Sequence, residues 1–337
     1  MPCFHPLHGY KAPLNGKWIS EANAPLLHNW EPLTIPCNKC TGCRTEHSRQ
    51  WAMRLVHEKK HQEEVEKNRT VFITLTYNDD YLPQSGTLIK KDFQKFIKRL
   101  RHQLKKIPGW QPPLRYYAAG EYGEKSSRPH YHAILYNCPL DRLQTFKKKG
   151  HKPLNTSKIL SKAWSQYIKP TKENPKEKFI SMGFTSWGEV TFNSAAYVAN
   201  YVQKKINGQQ KDLHYKRHYD VNKNGEFIMH SKGKRTLQLQ QEFALMSRKP
   251  GIASDWLTLH KDDVYPSDFI TMNGIKMKPP KSYDRIYERT HKEEMDIIKE
   301  LRKESLEQSA HLRTPEALKY QEQKHKRRMS LYKRKIL

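Results

Sequence analysis

The stretch RPHYHAILYN, residues 128–137, is the strand around which the other predicted elements of the fold are arranged. His130 and His132 flank Tyr131, and an apolar run follows, so the segment predicts a buried strand. Because side chains alternate between the two faces of a strand, both imidazoles share one face and Tyr131 lies on the other. Two adjacent imidazoles can hold one divalent cation. A lone His-x-His pattern is more often a pair of histidines bonded to backbone groups, so its surroundings must decide.

The segments around this strand predict the order β-α-β-β-α-β, followed by one more helix. This order is that of the split βαβ, ferredoxin-like arrangement, an α+β fold with a central antiparallel sheet flanked by helices. Its first and third strands are central neighbours, so we expect the histidine strand to pair with TVFITLTY. The predicted strands are 70–77, 114–122, 129–137 and 184–192, and the predicted helices are 90–104, 155–168 and 193–206, the last with Asn193 as its N-cap.

The composition points to a nucleic-acid partner. Lys and Arg number 62 against 34 Asp and Glu, and the net charge of +28 is spread along the whole chain, so the protein attracts polyanions. A merely soluble, Lys-rich surface is the alternative. No stretch approaches the about 18 apolar residues of a membrane span, which argues against a membrane protein. No apolar signal segment follows Met1, so we expect a cytoplasmic protein.

Shifts in composition predict three regions. Residues 1–67 form a Cys-rich, Pro-rich N-terminal segment plus a charged helix that starts at residue 46, and residues 68–260 form the domain with the sheet. Within that domain, residues 207–240 are polar and hairpin-like. Residues 261–337 form a basic, mostly helical tail, which we expect to be a mobile arm for DNA or for a partner.

A carboxylate from the neighbouring strand completes a predicted metal site. Glu121 ends the preceding strand, and the short turn after it returns the chain so that Glu121 comes beside His130 and His132. Two imidazoles and one carboxylate leave coordination positions open and suit Mg²⁺ or Mn²⁺ when a phosphate completes the shell. Glu124, in the turn itself, is the alternative third ligand.

The predicted helix that follows the last strand carries two tyrosines. Tyr197 and Tyr201 are four residues apart, so they share a helix face; Lys205 continues that stripe and Lys204 flanks it. One interpretation is a half-buried aromatic pair with lysines that extend past it into solvent. The other is a pair of nucleophiles whose ionised form is favoured by the nearby ammonium groups. The histidine strand and the basic charge favour the second interpretation.

Four of the five cysteines indicate a possible metal site in the N-terminal segment. Cys37, Cys40 and Cys43 have C-x2-C-x2-C spacing, and Cys3 can supply a fourth sulfur for a tetrahedral zinc site. A metal would help order a short segment that has little core of its own. A Cys₃His site using His5, His8 or His47, an iron–sulfur cluster and reduced thiols remain alternatives. Cys138 stands alone and is expected to be a buried thiol.

Three runs, FITLTY, RPHYH and YVANYVQKK, resemble in order the three motifs of the HUH endonucleases, which initiate rolling-circle replication or conjugative transfer. The two-tyrosine helix followed by Lys-Lys is similar to that of the microvirus replication initiators. Longer runs resemble the gokushovirus branch, which includes phages of chlamydiae: PCNKCTGCR, SRQWAMRL, FITLTYNDDYLP, GEYGEKSSRPHYHAILY and EVTFNSAAYVANYVQKK. The resemblance covers about residues 1–257 and identifies residues 68–260 as an HUH endonuclease domain.

The resemblance implies a nicking and joining enzyme that acts on phage origin DNA, single-stranded or supercoiled, in the cytoplasm of a bacterial host. It implies that a metal held by His130, His132 and Glu121 polarises the scissile phosphate. It implies that one tyrosine, Tyr197 or Tyr201, attacks and keeps the 5′ end as a phosphotyrosine, while the 3′ hydroxyl primes the host polymerase beside a host helicase. The second tyrosine would cut the regenerated origin, and joining would release a single-stranded circle. Lys205 and Lys204 would neutralise phosphate charge or favour phenolate.

Two other functions are compatible with parts of the pattern. A non-enzymatic single-stranded DNA-binding protein would use the basic surface and aromatic side chains that stack on bases. An HUH transposase or relaxase would also cut with tyrosine, although such transposases are usually shorter and use one tyrosine. A binder has no reason to hold two phenols four residues apart behind a histidine pair, and single Tyr197→Phe and Tyr201→Phe variants would discriminate the transposase or relaxase.

Overall fold

The computed structural model describes residues 3–13, 16–23, 30–123, 126–146, 154–168, 178–204, 210–230 and 232–332. The chain divides into two compact units. The first unit comprises Met1–Gln50 together with Lys261–Leu337, and the second unit comprises Trp51–His260.

The secondary structure of the described residues mixes helices with short and long strands. The strands are β1 (Gly9–Lys11), β2 (Trp18–Ser20), β3 (Glu31–Pro32), β4 (Thr70–Tyr77), β5 (Arg115–Tyr122), β6 (Pro129–Tyr136), β7 (Thr145–Phe146), β8 (Leu154–Asn155), β9 (Ser165–Ile168), β10 (Lys178–Ser181), β11 (Gly183–Glu189), β12 (Lys216–Val221), β13 (Phe227–Met229), β14 (Arg235–Gln238), β15 (Phe243–Met246), β16 (Ile270–Met272) and β17 (Ile275–Met277). The helices are α1 (Thr41–Glu64), α2 (Lys90–Leu104), α3 (Lys158–Ala163), α4 (Phe192–Lys204), α5 (Gln210–Tyr215), α6 (Ser254–Val264), α7 (Lys281–Tyr287), α8 (Lys292–Gln308) and α9 (Pro315–Tyr332).

The second unit is built on an antiparallel sheet in the order β15-β5-β6-β4-β11-β8-β7. The histidine strand β6 pairs with β4 on one side and with β5 on the other, and β4 pairs in turn with β11. These four strands have the order and directions that the sequence predicted. The chain is therefore a mixed α and β protein whose histidine strand lies inside a large antiparallel sheet.

One face of this sheet is the hydrophobic core of the second unit. Val71, Ile73, Leu75 and Tyr77 alternate along β4 and are buried, and they pack in one cluster with the apolar residues of α2. Tyr131 of β6 belongs to the same cluster, and its hydroxyl lies 2.9 Å from that of Tyr77. Tyr131 therefore lies on the face opposite the two histidines, as strand alternation predicted.

Helix α4 packs against β5, β6 and β15. It begins one residue earlier than predicted, and Thr191 rather than Asn193 caps it. The Ser194 backbone N–H donates to Thr191 Oγ1 at 3.2 Å, and the Thr191 backbone N–H donates to Ser194 Oγ at 2.8 Å. This reciprocal pair is a capping box with Ser at its third position.

Several elements differ from the sequence prediction. The charged helix α1 begins at Thr41 rather than at residue 46. The helix predicted at 155–168 is shorter, since α3 ends at Ala163 and the chain continues as β9. The helix ends at Trp164, whose backbone has φ of −92° and ψ of 48°, and whose ring is fully buried in the core, where its Nε1 donates to the Thr76 carbonyl at 3.1 Å. The edge strand β15 was not predicted, and the polar region after residue 210 forms α5 and the sheet β13-β12-β14.

The prediction of a mobile C-terminal arm is wrong for residues 261–332, which belong to the first folded unit. In α9, Leu318 is buried, His325 lies 3.3 Å from the Thr45 hydroxyl and Glu322 lies 3.0 Å from His5. The sequence pattern did not predict this packing, because α9 is mostly polar and Leu318 is the one buried apolar residue among its described side chains. None of the helices in the described ranges has the length and apolar character needed to cross a membrane.

A buried ion pair fixes the start of β5 in the second unit. Arg115 Nε donates to Glu58 Oε1 at 2.6 Å, and neither side chain is more than 5% exposed. The Ala253 backbone N–H donates to the same carboxylate at 2.7 Å, and Arg115 also donates to the Gly251 carbonyl at 3.0 Å. These additional bonds offset the cost of removing two charges from water.

We predict that Glu58→Gln lowers the free energy of unfolding by about 3–5 kcal/mol, because it leaves the Arg115 guanidinium buried without its counter-charge. Urea denaturation, monitored by tryptophan fluorescence, measures the change in the free energy of unfolding. The matched control is Glu63→Gln on the same helix. Glu63 pairs with Lys59 at 2.8 Å, and both side chains are partly exposed. That control should cost at most about 1 kcal/mol. Equal losses in the two variants would contradict the role given to the buried pair.

Candidate active site

The register of β6 with its neighbours brings the predicted metal ligands to one end of the sheet. His130 is paired with Glu121 of β5, and His132 is paired with Thr74 of β4. His132 Nε2 donates to Glu121 Oε1 at 2.9 Å, and both side chains are buried. The structure therefore brings Glu121 and His132 into direct contact. Glu124, the alternative ligand, lies outside the described residues.

Thr74 holds the second nitrogen of His132. The Thr74 hydroxyl lies 3.0 Å from His132 Nδ1. Glu121 and Thr74 therefore each hydrogen-bond to one of the two ring nitrogens. If a metal ion replaced the proton on Nε2, Nδ1 would carry the proton and donate it to Thr74 Oγ1. Such outer contacts fix the tautomer and orientation of histidine ligands. Thr74 lies within FITLTY but was not predicted as a site residue, because its contact with His132 depends on the register between β4 and β6.

His130 is held by the backbone of its own turn. Its Nδ1 lies 2.7 Å from the Arg128 carbonyl oxygen, which can only accept, so Nδ1 carries the proton and Nε2 carries the lone pair. Burial lowers the pKa of His130 below its usual value, which favours the neutral form that binds metals. The rings of His130 and His132 are nearly parallel, with an angle of 5° and centroids 6.4 Å apart.

The donor set of these three residues fits a hard divalent cation in its chemistry: two imidazole nitrogens and one carboxylate. Their ligand atoms are less closely grouped than a bound ion requires. Within the described parts of the chain, only the four cysteines form a group of at least three potential ligands whose atoms all lie within 4.8 Å of one another. A divalent cation bound here would be held by His130, His132 and Glu121, with the His132–Glu121 contact giving way to bonds to the ion.

Tyr197 of α4 lies on the histidine face of the sheet. Its ring centroid is 5.4 Å from that of His132, and the two planes meet at 78°. The ring also meets Phe72 of β4 edge-on, with 6.5 Å between centroids. Tyr197 is half-buried. The first tyrosine and the histidine strand thus occupy the same side of the sheet.

The other predicted site residues on this helix are described less completely. The backbones of Tyr201 and Lys204 are helical, so Tyr201 follows Tyr197 by about one turn. The side chains of both residues lie outside the described part of the structure, and so does the whole of Lys205.

A shallow cavity of about 330 Å³ lies on β4 and β11 next to the histidines. Thr74, Thr76 and Ser186 contribute hydroxyls to it, and Phe184, which is 73% exposed, forms part of its wall. Phe184 is the cross-strand partner of Thr76, which in turn pairs with His130. Hydroxyls and an exposed ring suit a phosphate backbone and a base. A larger cavity of about 760 Å³, around Arg69 and Trp110, contains none of the candidate residues.

The four predicted cysteines come together in the first unit. Sγ of Cys37 lies 4.0 Å from that of Cys43, and Sγ of Cys3 lies 3.9 Å from that of Cys40. Burial opposes ionisation of Cys40, but the backbone N–H groups of Cys43 and Phe4 outweigh it and lower the pKa of Cys40 to about 6. The cluster can hold a metal ion. Cys138 is fully buried, and burial raises the pKa of its thiol, as expected for an inert core cysteine.

Comparison with known proteins adds a family to this geometry. A family profile described as "Replication-associated protein ORF2/G2P" matches residues 70–206. Replication-associated protein ORF2 of Spiroplasma virus 4 is 32% identical over 281 residues, which cover 80% of this chain and 73% of the relative. The chain belongs to this family of phage replication-associated proteins.

Further relatives agree with this family. Replication-associated protein VP4 of Bdellovibrio phage phiMH2K is 28% identical over 266 residues, 77% of this chain and 69% of the relative. Replication-associated protein ORF4 of Chlamydia phage 1 is 28% identical over 174 residues, 51% of this chain and 38% of the relative. The resemblance to microvirus-type replication initiators is thereby confirmed. No solved structure is significantly similar to the chain.

The part of this replication-associated protein that the family profile matches contains the site on the sheet. Residues 70–206 run from the first residue of β4 past the end of α4 and include Thr74, Glu121, both histidines and Tyr197. The cysteine cluster lies outside the matched residues. The family assignment therefore bears on the sheet and its tyrosine helix, and the cysteines must be judged from their own geometry.

We predict that Thr74→Val lowers the affinity for Mn²⁺ by about 10- to 100-fold, because His132 loses the partner that orients it. Isothermal titration with Mn²⁺ measures the dissociation constant, and the thiolates of the cysteine cluster do not compete, since Mn²⁺ prefers oxygen and imidazole ligands. Thr74→Ser keeps the hydroxyl and should restore the affinity. An unchanged dissociation constant in Thr74→Val would show that the contact does not orient a ligand.

Proposed function

We propose that the protein initiates rolling-circle replication as a metal-dependent DNA endonuclease that also joins strands. In this proposal it nicks one strand at a phage origin through a 5′-phosphotyrosine and later releases a circular single strand. The observation that carries the proposal is the position of Tyr197, whose ring packs against His132 while His132 contacts Glu121. The family membership supports the same role in replication. We assign the central sheet to the HUH endonuclease core.

The cleavage step is a transfer of the phosphoryl group from DNA to tyrosine. The phenolic oxygen of one tyrosine attacks the phosphorus, a P–O bond to tyrosine forms, and the P–O bond to the 3′ oxygen breaks. The phenol loses its proton, and the departing 3′ oxygen gains one. The phosphodiester is conserved as phosphotyrosine, so the later attack by a 3′ hydroxyl reverses the chemistry and joins the strand without ATP. Because the tyrosine is held beside the scissile phosphate, the attack is effectively unimolecular, and its barrier is lower than that of an encounter between free reactants.

In the proposal, the side chains of the sheet act mainly by binding and orienting. His130, His132 and Glu121 hold Mg²⁺ or Mn²⁺, which when bound polarises the phosphate oxygen. Thr74 keeps the His132 ring in one orientation, and the Arg128 carbonyl keeps the proton of His130 on Nδ1. The hydroxyls and Phe184 beside the histidines receive the DNA strand. Each residue thus fixes a geometry before the reaction starts.

A second nucleophile belongs to the same proposal. Tyr201, one helical turn after Tyr197, cuts the regenerated origin, so that two tyrosines exchange one strand between them. Lys205 and Lys204 neutralise phosphate charge or favour the phenolate. The α4 backbone, which is helical through Lys204, supports a shared face for the two tyrosines.

The charge of the chain supports DNA as the substrate. The net charge of +28 concentrates polyanions around it. On α2, Lys91, Lys95, Lys98 and Arg101 are exposed, while the apolar residues of the same helix are buried. We propose phage origin DNA, as a single strand or supercoiled duplex, as the substrate, with a host helicase and polymerase recruited afterwards. We also propose that the cysteine cluster holds a structural metal ion, since four protein ligands leave no open position for chemistry.

We predict that replacing both His130 and His132 with Ala reduces nicking by at least about 100-fold, because the metal loses its nitrogen ligands. The substrate is the supercoiled form of the circular genome that encodes the chain, with Mg²⁺ or Mn²⁺. DNA affinity, measured by fluorescence anisotropy, should stay within about twofold, since phosphate contacts by Lys and Arg supply most of it.

The matched control is His102→Ala, an exposed histidine of α2 that should leave nicking unchanged. If nicking and binding fall together in the double variant, the histidines do not have a separate catalytic role. If the unaltered protein binds the DNA but never cuts it with either metal, the alternative of a non-enzymatic single-strand binder is correct.

We predict that the double variant Tyr197→Phe, Tyr201→Phe forms at least about 1,000-fold less covalent DNA adduct, because no nucleophile remains. Each single variant should lose the release of single-stranded circles, which needs both tyrosines. Peptide mapping of the adduct on the unaltered protein identifies the attached residue, and Tyr167→Phe on β9 is the control. If one single variant abolishes all activity and the other is fully active, a one-tyrosine mechanism, as in a transposase or relaxase, replaces this proposal.

A further inference from the structure

We infer that Cys3, Cys37, Cys40 and Cys43 bind one zinc ion, and that this ion is required for the folding of the segment from Cys3 to Gln50. This inference rests on the proposal that the cysteine cluster holds a structural metal. It is independent of the nicking chemistry, because it concerns residues of the first unit and is read out by metal content.

The distances between the sulfurs match a single tetrahedral ion. Zinc–sulfur bonds of about 2.3 Å give sulfur–sulfur edges of about 3.8 Å in a tetrahedron. The Cys37–Cys43 and Cys3–Cys40 edges are 4.0 and 3.9 Å, and all four sulfurs lie within 4.8 Å of one another. A disulfide needs about 2.05 Å, and all four cysteines are free. A four-iron cluster bonds each cysteine to a different iron and needs sulfurs farther apart.

Backbone amides around the cluster point at the sulfurs. The Cys37 N–H donates to Cys3 Sγ at 3.2 Å, the Phe4 N–H donates to Cys40 Sγ at 3.3 Å, and the Cys40 N–H donates to Cys37 Sγ at 3.3 Å. A neutral thiol is a weak acceptor, whereas a thiolate is a strong one. Several thiolates this close together repel one another unless a cation lies between them. The amides therefore match a cluster of metal-bound thiolates better than four thiols.

The local backbone explains how three of the sulfurs converge. Asn38 has φ of 57°, in the left-handed region that Asn tolerates, and this bend turns Cys37 back toward Cys40. Helix α1 begins at Thr41, so Cys43 lies in its first turn, and its sulfur comes within 4.0 Å of that of Cys37. Cys3 arrives from a distant part of the chain and completes the set.

The histidine alternatives for a ligand are engaged elsewhere. His5 Nε2 lies 3.0 Å from Glu322 and His8 Nδ1 lies 3.2 Å from the Thr34 hydroxyl. With four sulfurs already within one coordination sphere, a Cys₃His site using these residues or His47 has no vacancy to fill. The geometry therefore selects the all-sulfur set.

The segment needs this ion because its own core is small. Among its described residues, the buried apolar side chains are Phe4, Ala12 and Cys40, and its strands β1, β2 and β3 have at most three residues each. Even with the polar contacts that His5 and Thr45 make with α9, so little buried apolar area offsets only part of the entropy of ordering the segment. In structural zinc sites the energy of metal binding supplies the missing folding energy.

The test uses the full chain purified without chelator. Inductively coupled plasma mass spectrometry should find about one more zinc ion per chain in the unaltered protein than in Cys40→Ser. Cys138→Ala is the matched control, since Cys138 is a buried cysteine outside the cluster, and it should keep the zinc. Cobalt exchanged into the unaltered protein should give the visible absorption of a tetrahedral thiolate site, a readout that does not depend on the folding of any variant.

The second readout is hydrogen exchange. After zinc is removed from the unaltered protein, protection should fall in residues 3–50 and persist in residues 51–260. Restoring zinc should restore it. Three results would overturn the inference: iron in place of zinc, equal zinc in Cys40→Ser and the unaltered protein, or unchanged protection of residues 3–50 without zinc. Loss of nicking with normal zinc content would instead count against the proposed function alone.

Discussion

The register of β6 between β4 and β5 is the constraint on which the candidate site depends. It pairs His132 with Thr74 and His130 with Glu121, so one strand receives an orienting hydroxyl from one neighbour and a carboxylate from the other. A shift by one residue would turn both histidines into the core and Tyr131 out of it. Tyr131, buried between Tyr77 and the start of α2, makes that shift costly. Packing of Tyr131 on one face of the sheet thus fixes the positions of the two histidines on the other face.

The two faces of the central sheet differ in character: one is the apolar core of the second unit, and the other carries the candidate site. The face with Tyr131 is filled by α2 and α3, and its apolar side chains are almost completely buried. The opposite face is covered by α4 over β5 and β6, while β4 and β11 present hydroxyls and the exposed Phe184 beside the histidines. On this face the tyrosine helix therefore lies over β5 and β6, and the shallow cavity lies on β4 and β11.

The sequence anticipated the features that depend on local periodicity. Strand alternation predicted the separation of His130 and His132 from Tyr131, and the order of strands and helices predicted which strands pair. Glu121 was predicted beside the histidines because a short turn joins β5 and β6. Features that depend on contacts between distant residues were missed. The Thr74 hydroxyl contacts His132 from the neighbouring strand, Thr191 caps α4 through Ser194, and α3 ends where the Trp164 ring enters a core formed by other segments.

The sequence by itself determined the alternating strands, the helical spacing of the tyrosines, the C-x2-C-x2-C spacing and the excess of positive charge, because each is a pattern within a few neighbouring residues or a sum over the chain. Only the tertiary structure decided that Tyr197 packs against His132, that Cys3 joins the other cysteines and that α9 packs with the N-terminal segment. The physical reason is that these contacts join residues far apart in the chain. Burial of apolar surface elsewhere brings them together, and no local pattern records that burial.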